Sequence, residues 1–185
     1  KLIVTFGDPD AMTEQQRTAR DTFLKKYNDN PKLFGKVEAG VLGAQTTKPI
    51  APAGSADMVI SARNFHGWMR FGTTDKFLAD VKAVLKPGGL VAVEQHRGVA
   101  TAPQDPKAAN GYVRQDYVIA QYRKAGFEFV GSSEINANPR DTKDHPFGVW
   151  TLPPNLRGSP IGQPAAPSPD EAKYRAIGES DRMLL

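Results

Sequence analysis

Three short clusters in this 185-residue chain combine residue types that do chemistry. The first is Asn64, Phe65, His66 and Trp68. The second is Glu94, Gln95, His96 and Arg97. The third is Arg140, Asp141, Asp144 and His145. Imidazole titrates near neutrality, so His96, and after it His66, could take a proton from an O–H or N–H nucleophile. Asn64 is suited to hold a polar substrate atom, and Phe65 or Trp68 to form an apolar wall. The Asp-x-x-Asp-His run is a workable ligand set in kind. Its spacing is short and matches no metal signature, so it reads as a polar turn or part of a lid, and no metal is expected. Arg114 and Asp116 form a further pair at the head of a helix, where a carboxylate also suits the helix N-terminus.

These side chains need elements to position them. Residues 1–6 are β-like and run into Gly7-Asp8-Pro9. Thr13 followed by Gln16 has the form of a capping box, predicting a polar helix to about Tyr27. Residues 34–44 alternate as a strand, and 57–62 form a short apolar run of the kind buried on both faces. Phe77, Leu78, Val81, Val84 and Leu85 make one helical stripe, capped by Thr73 or Thr74. Lys86-Pro87-Gly88-Gly89 should end that helix before a second buried strand at 90–93. A helix at 113–125, a strand at 127–130, a proline-rich stretch at 136–178 and a final strand at 182–185 complete the chain.

Strands alternating with helices predict an α/β fold with a mostly parallel sheet and a late antiparallel strand. The weak join lies between the strands near 37–44 and 57–62, where no helix is available for a crossover. Ligands of such sheets gather at the carboxyl ends of strands, where the first two clusters fall. The expected organisation is one domain over 1–185, with the proline-rich stretch as a loop insertion.

Composition narrows the partners. Twenty-four basic and 20 acidic residues leave a net charge of +4 and a pI near 9.3. The signs are interspersed, which describes a solvated surface and indicates no nucleic-acid groove. Without cysteine there is no disulfide, thiolate zinc site or thiol nucleophile. No apolar run approaches the ~20 residues of a membrane span. Compartment and oligomeric state are left open.

The run Ala56-Asp57-Met58-Val59-Ile60-Ser61-Ala62-Arg63-Asn64, an apolar helix, Leu85-Lys86-Pro87-Gly88-Gly89-Leu90-Val91-Ala92-Val93, and Lys124-Ala125-Gly126-Phe127 occur in that order. The series resembles the class I S-adenosylmethionine-dependent methyltransferases. Further likeness, in His66, His96, Arg114-Gln115-Asp116, Asn138-Pro139-Arg140-Asp141 and Ser180-Asp181-Arg182, is to a bacterial group of predicted methyltransferases, some of them exported. The resemblance implies a Rossmann-like fold and S-adenosylmethionine bound along the strand ends. Asp8, Gly43, Ala44, Asn64 and Phe65 would contact the donor. Trp68, Arg97, Arg114 and Asp116 would face a small-molecule substrate, with His96, His66 and Asn64 catalytic. The family's first strand and glycine-rich turn are not in the sequence, so the chain is expected to be the later two-thirds of such a domain. A non-catalytic binding module of the same fold is the competing expectation. An oxidoreductase is disfavoured, since no dinucleotide fingerprint is present.

Overall fold

The computed structural model describes residues 1–185. It is an α/β chain of two compact units, each assembled from two stretches of sequence. Lys1–Asp57 and Lys76–Leu90 make the first, Met58–Asp75 and Val91–Leu185 the second.

The first unit begins with strand β1 (Leu2–Phe6), helix α1 (Glu14–Asn28), the single turn α2 (Pro31–Phe34) and strand β2 (Val37–Val41). The expected capping box forms at α1: Thr13 accepts from Gln16 N–H, and the Gln16 side chain accepts from Thr13 N–H. At the other end of α1, the Asn28 amide bonds both the N–H and the C=O of Val37 at 2.9 Å. That clamp delivers β2 to β1, and the two strands pair in parallel from Leu2↔Val37 to Phe6↔Val41. Phe6, Phe23, Tyr27 and Phe34 stack in series along this hairpin of elements.

Strand β3 (Ala56–Ala62) leads through α3 (Phe65–Arg70) and α4 (Thr74–Val84) to β4 (Leu85–His96). The second unit continues with α5 (Gln115–Lys124), a 3-10 turn at Gly148–Thr151, α6 (Glu171–Ile177) and β5 (Arg182–Leu184). The strand order is β3-β4-β5, and β5 joins antiparallel with His96↔Arg182 and Glu94↔Leu184, as the sequence suggested. Phe65, Val113, Val118, Leu152 and Met183 are buried to 1% or less and form the core of this unit. Two glycines let its loops close: a Cβ on Gly148 (φ +58°) would collide with the Asn110 carbonyl, and one on Gly111 (φ +83°) with Val149.

Four expectations are corrected. The sheet is not one mostly parallel layer but a parallel pair and a separate three-stranded sheet. The 42–55 segment contains no helix, so nothing lays β3 down beside β2. Strand β3 is not buried on both faces: Met58 and Ile60, two apart and therefore on one face, are 50% and 71% exposed. The Lys86–Gly89 turn is absorbed into β4, which starts directly after α4, with Gly88 taking φ +74° inside it. Residues 127–130 are not a strand, since pairing with β5 is confined to a bridge between Ser133 and Leu184.

Candidate functional site

The second unit gathers its polar side chains where β4 ends. Gln95 and His96 are its last two residues, and His66 stands on the first turn of α3. The two imidazole rings lie 5.5 Å apart. Gln95 is fully buried; its amide donates to the Gly111 carbonyl at 2.9 Å and its oxygen accepts the His66 backbone N–H. The same amide lies 3.3–3.4 Å from His66 Nδ1. One amide N–H of Gln95 is committed to Gly111, and its second N–H and its oxygen both lie within reach of Nδ1, so Gln95 fixes the orientation of the His66 ring with either tautomer.

His96 is in a different position. It is 9% exposed, and its Nδ1 lies 2.6 Å from Ser180 Oγ. Burial, then the neighbouring His66, Arg63 and Arg182, push it down to about 3. His66 is half-buried and is also lowered, chiefly by burial, which the Gln95 contact partly opposes. Both rings are thus uncharged at neutral pH. Trp150 meets His66 edge-on at 5.7 Å and holds the Arg70 guanidinium 4.9 Å from its ring centre.

A buried acid anchors the loops around the pair. Asp141 accepts from the Tyr112 hydroxyl at 2.9 Å, from His145 Nε2 at 2.8 Å, and from the backbone N–H of Lys143 and Asp181. The Tyr112 hydroxyl is raised by burial and by this carboxylate. Asp181 is raised by burial, but Arg97, Lys143 and the Asn138 N–H together outweigh that and hold it at about 2. The expected Asp-x-x-Asp-His turn is therefore a knot of loop contacts. Asp144 turns to Thr142 and stays exposed.

The structure brings some expected residues together and separates others. His66 and His96 meet, but Phe65 is wholly buried against Trp68 and Tyr122 and serves the core. Trp68, 7% exposed, does the same. Asn64 caps α3 at an exposed position without a side-chain cap bond. The Arg97 guanidinium is taken up by Asp181 and Glu134. Arg114 closes on its neighbour Asp116 and on the Ala102 carbonyl. Tyr112, Trp150 and the direct Ser180–His96 bond were missed as site features, because nothing periodic in the sequence ties them to the strand end.

The first unit holds the remaining candidates at the carboxyl end of the parallel pair. A Cβ on Gly43 would sit 3.4 Å from the Asp8 N–H, so the turns after β1 and β2 touch. Lys48 bonds Asp8 at 2.7 Å and Asp10 at 2.5 Å. That lysine, then Thr46, hold the Asp8 carboxyl at about 2. Ala44 is exposed beside them.

No protein-family model matches the chain, and no curated protein is detectably similar to it. Among solved structures, the chain is similar to the [4+2]-cyclase SpnF, with a TM-score of 0.46 and 17% identity over 75% of its length. It spans 54% of the SpnF chain. No helix is long and apolar enough to cross a membrane.

Proposed function

We propose that the chain is an enzyme that methylates a small molecule using S-adenosylmethionine, with His66 as the proton acceptor. The observation that carries this reading is the pair of uncharged imidazoles at the end of β4, one sealed and one half-open. A base must be neutral at working pH yet basic enough to hold a proton. His96, at about 3, is too weakly basic for that and is bound to Ser180. It acts as a rigid polar wall. His66, oriented by Gln95 and only half-buried, is the ring left to take the nucleophile's proton.

The turns after β1 and β2 fit the adenosine half of the donor in kind. Asp8 offers a carboxylate for ribose hydroxyls, and Gly43 and Ala44 allow close approach of a ring. Phe65 does not fit, because it has no exposed surface. When bound, the donor supplies an electrophilic methyl group. The protein's own residues exclude water around the acceptor and receive its proton.

Lys48 on Asp8 favours a second reading, a binding module without methyl transfer, since the lysine already occupies the carboxylate. Calorimetric titration of S-adenosylmethionine into the chain and into D8A separates the two. The enzyme reading requires saturable heat that weakens at least tenfold in D8A. Absence of heat with the unaltered chain overturns it.

A further inference from the structure

We propose that Arg63 anchors a carboxylate on the small molecule, so that the acceptor is an organic acid held by its charge beside His66. The inference rests on the reading that the His66 side of this unit receives the acceptor. Arg63 directly follows β3 at φ +57°, a left-handed conformation that costs a non-glycine residue about 1 kcal/mol. Its N–H is tied to the Glu94 carbonyl at 2.7 Å, which pins the strained backbone. The side chain, by contrast, is exposed and makes no ion pair.

Most other arginines of this unit are occupied, and the two that also act on the imidazoles, Arg70 and Arg182, are among them. Arg97 is held by Asp181 and Glu134, Arg114 by Asp116, Arg175 by Glu171, and Arg182 by Glu94 and Glu179. Arg70 lies on the Ala109 carbonyl and Trp150. Arg63 is unpaired and its charge also reaches the site: it helps lower both His66 and His96. The acids that might neutralise it are engaged elsewhere. Glu94 is bound by Arg182 and Asn136, Asp141 by Tyr112 and His145, and Asp105 by the backbone of Lys107 and Ala109. With both imidazoles uncharged, Arg70 and Arg63 are the cations beside His66, and Arg63 is the one whose guanidinium has no carbonyl or ring partner. Its planar fork matches a carboxylate through two parallel hydrogen bonds.

Benzoate and its uncharged isostere benzamide serve as probes, titrated against tryptophan fluorescence. Benzoate should bind saturably and at least tenfold more tightly than benzamide, a difference of about 1.4 kcal/mol. R63Q should remove that preference, and R63K should restore part of it. R63G relaxes the backbone strain, so it should be no less stable than the parent and still lose benzoate. Equal benzoate affinity in the parent and R63Q, or no preference over benzamide, overturns the proposal. The donor titration is read separately. Arg63-dependent benzoate binding without donor heat brings down only the methyl-transfer reading. Donor heat with Arg63-independent benzoate binding brings down only this one.

Discussion

His66 and His96 show how one residue type is given two states by its surroundings. Burial lowers both, but His96 reaches about 3 while His66 stays half-open. The consequence for stability has a definite sign. The unfolded chain protonates His96 near 6.5 and the folded chain does not, so acid favours the unfolded state. The contribution is complete above pH 6.5 and is lost as pH falls toward 3, at no more than ~1.4 kcal/mol per pH unit. Urea unfolding at pH 6.5 and 4.5 should show this loss, and H96Q should show less of it by about 1–2 kcal/mol. A loss of the same size in H96Q would refute the assignment. Asp141 makes the complementary case: a fully buried carboxylate surrounded by four donors. D141A should cost about 3–5 kcal/mol, because Tyr112 and His145 lose their partner inside the protein. Y112F should cost only ~1–2 kcal/mol, as the acid keeps its other donors. The histidines were legible in the sequence because they sit at strand ends. The bond from His96 to Ser180 was not, since 84 residues separate them and only the β4–β5 register brings them together.

At the scale of elements, local chemistry was readable and, apart from the late antiparallel strand, pairing was not. The α1 capping box followed from Thr13 and Gln16 alone, and T13A should cost about 1 kcal/mol, seen as a lower urea midpoint. The length of β4 could not be read in the same way. Lys86-Pro87-Gly88-Gly89 has every mark of a turn, yet the chain enters the strand there, with Gly88 absorbing the positive φ and Lys86 reaching Asp57 on β3. The run at 127–130 has a strand's composition but lacks a partner: Phe129 and Val130 are 40% and 85% exposed. Strand propensity describes a fit to a half-buried pleated surface, and here the surface is missing. Loops carry the opposite lesson. Gly148 reads as an ordinary loop glycine, but its φ of +58° and its approach to Asn110 make it a hinge pin of the 3-10 turn. G148A should lower the melting temperature by more than any exposed substitution in 136–178, and an unchanged melt would refute the close packing seen there.

Over the whole molecule, the chain crosses between its two units at 57/58, 75/76 and 90/91. An α/β pattern was legible because strands and helices alternate, and the helix-free join near 42–55 was visible too, but that the sheet divides there was not, because strand pairing is set by tertiary contacts. The first unit therefore lacks a continuous sequence of its own. Residues 1–57 contain β1, α1, α2 and β2, yet α1 buries no residue, and Val37 is the buried hydrophobic among them. The end of this stretch is tied to α4, with the N–H groups of Gly54 and Ser55 donating to Ala83 and Val84. Burial on that scale cannot offset the ~1–2 kcal/mol per residue needed to fix a backbone. A peptide of residues 1–57 should accordingly give a largely disordered circular dichroism spectrum at 25 °C. Restoring 76–90 by linking it through a short flexible tether should recover helix and strand signal, since it returns the second stretch of the same unit. A peptide of 1–57 that melts cooperatively on its own would mean that the Asn28 clamp and the parallel β1–β2 pair suffice without α4, and that the first unit is defined by that pair alone.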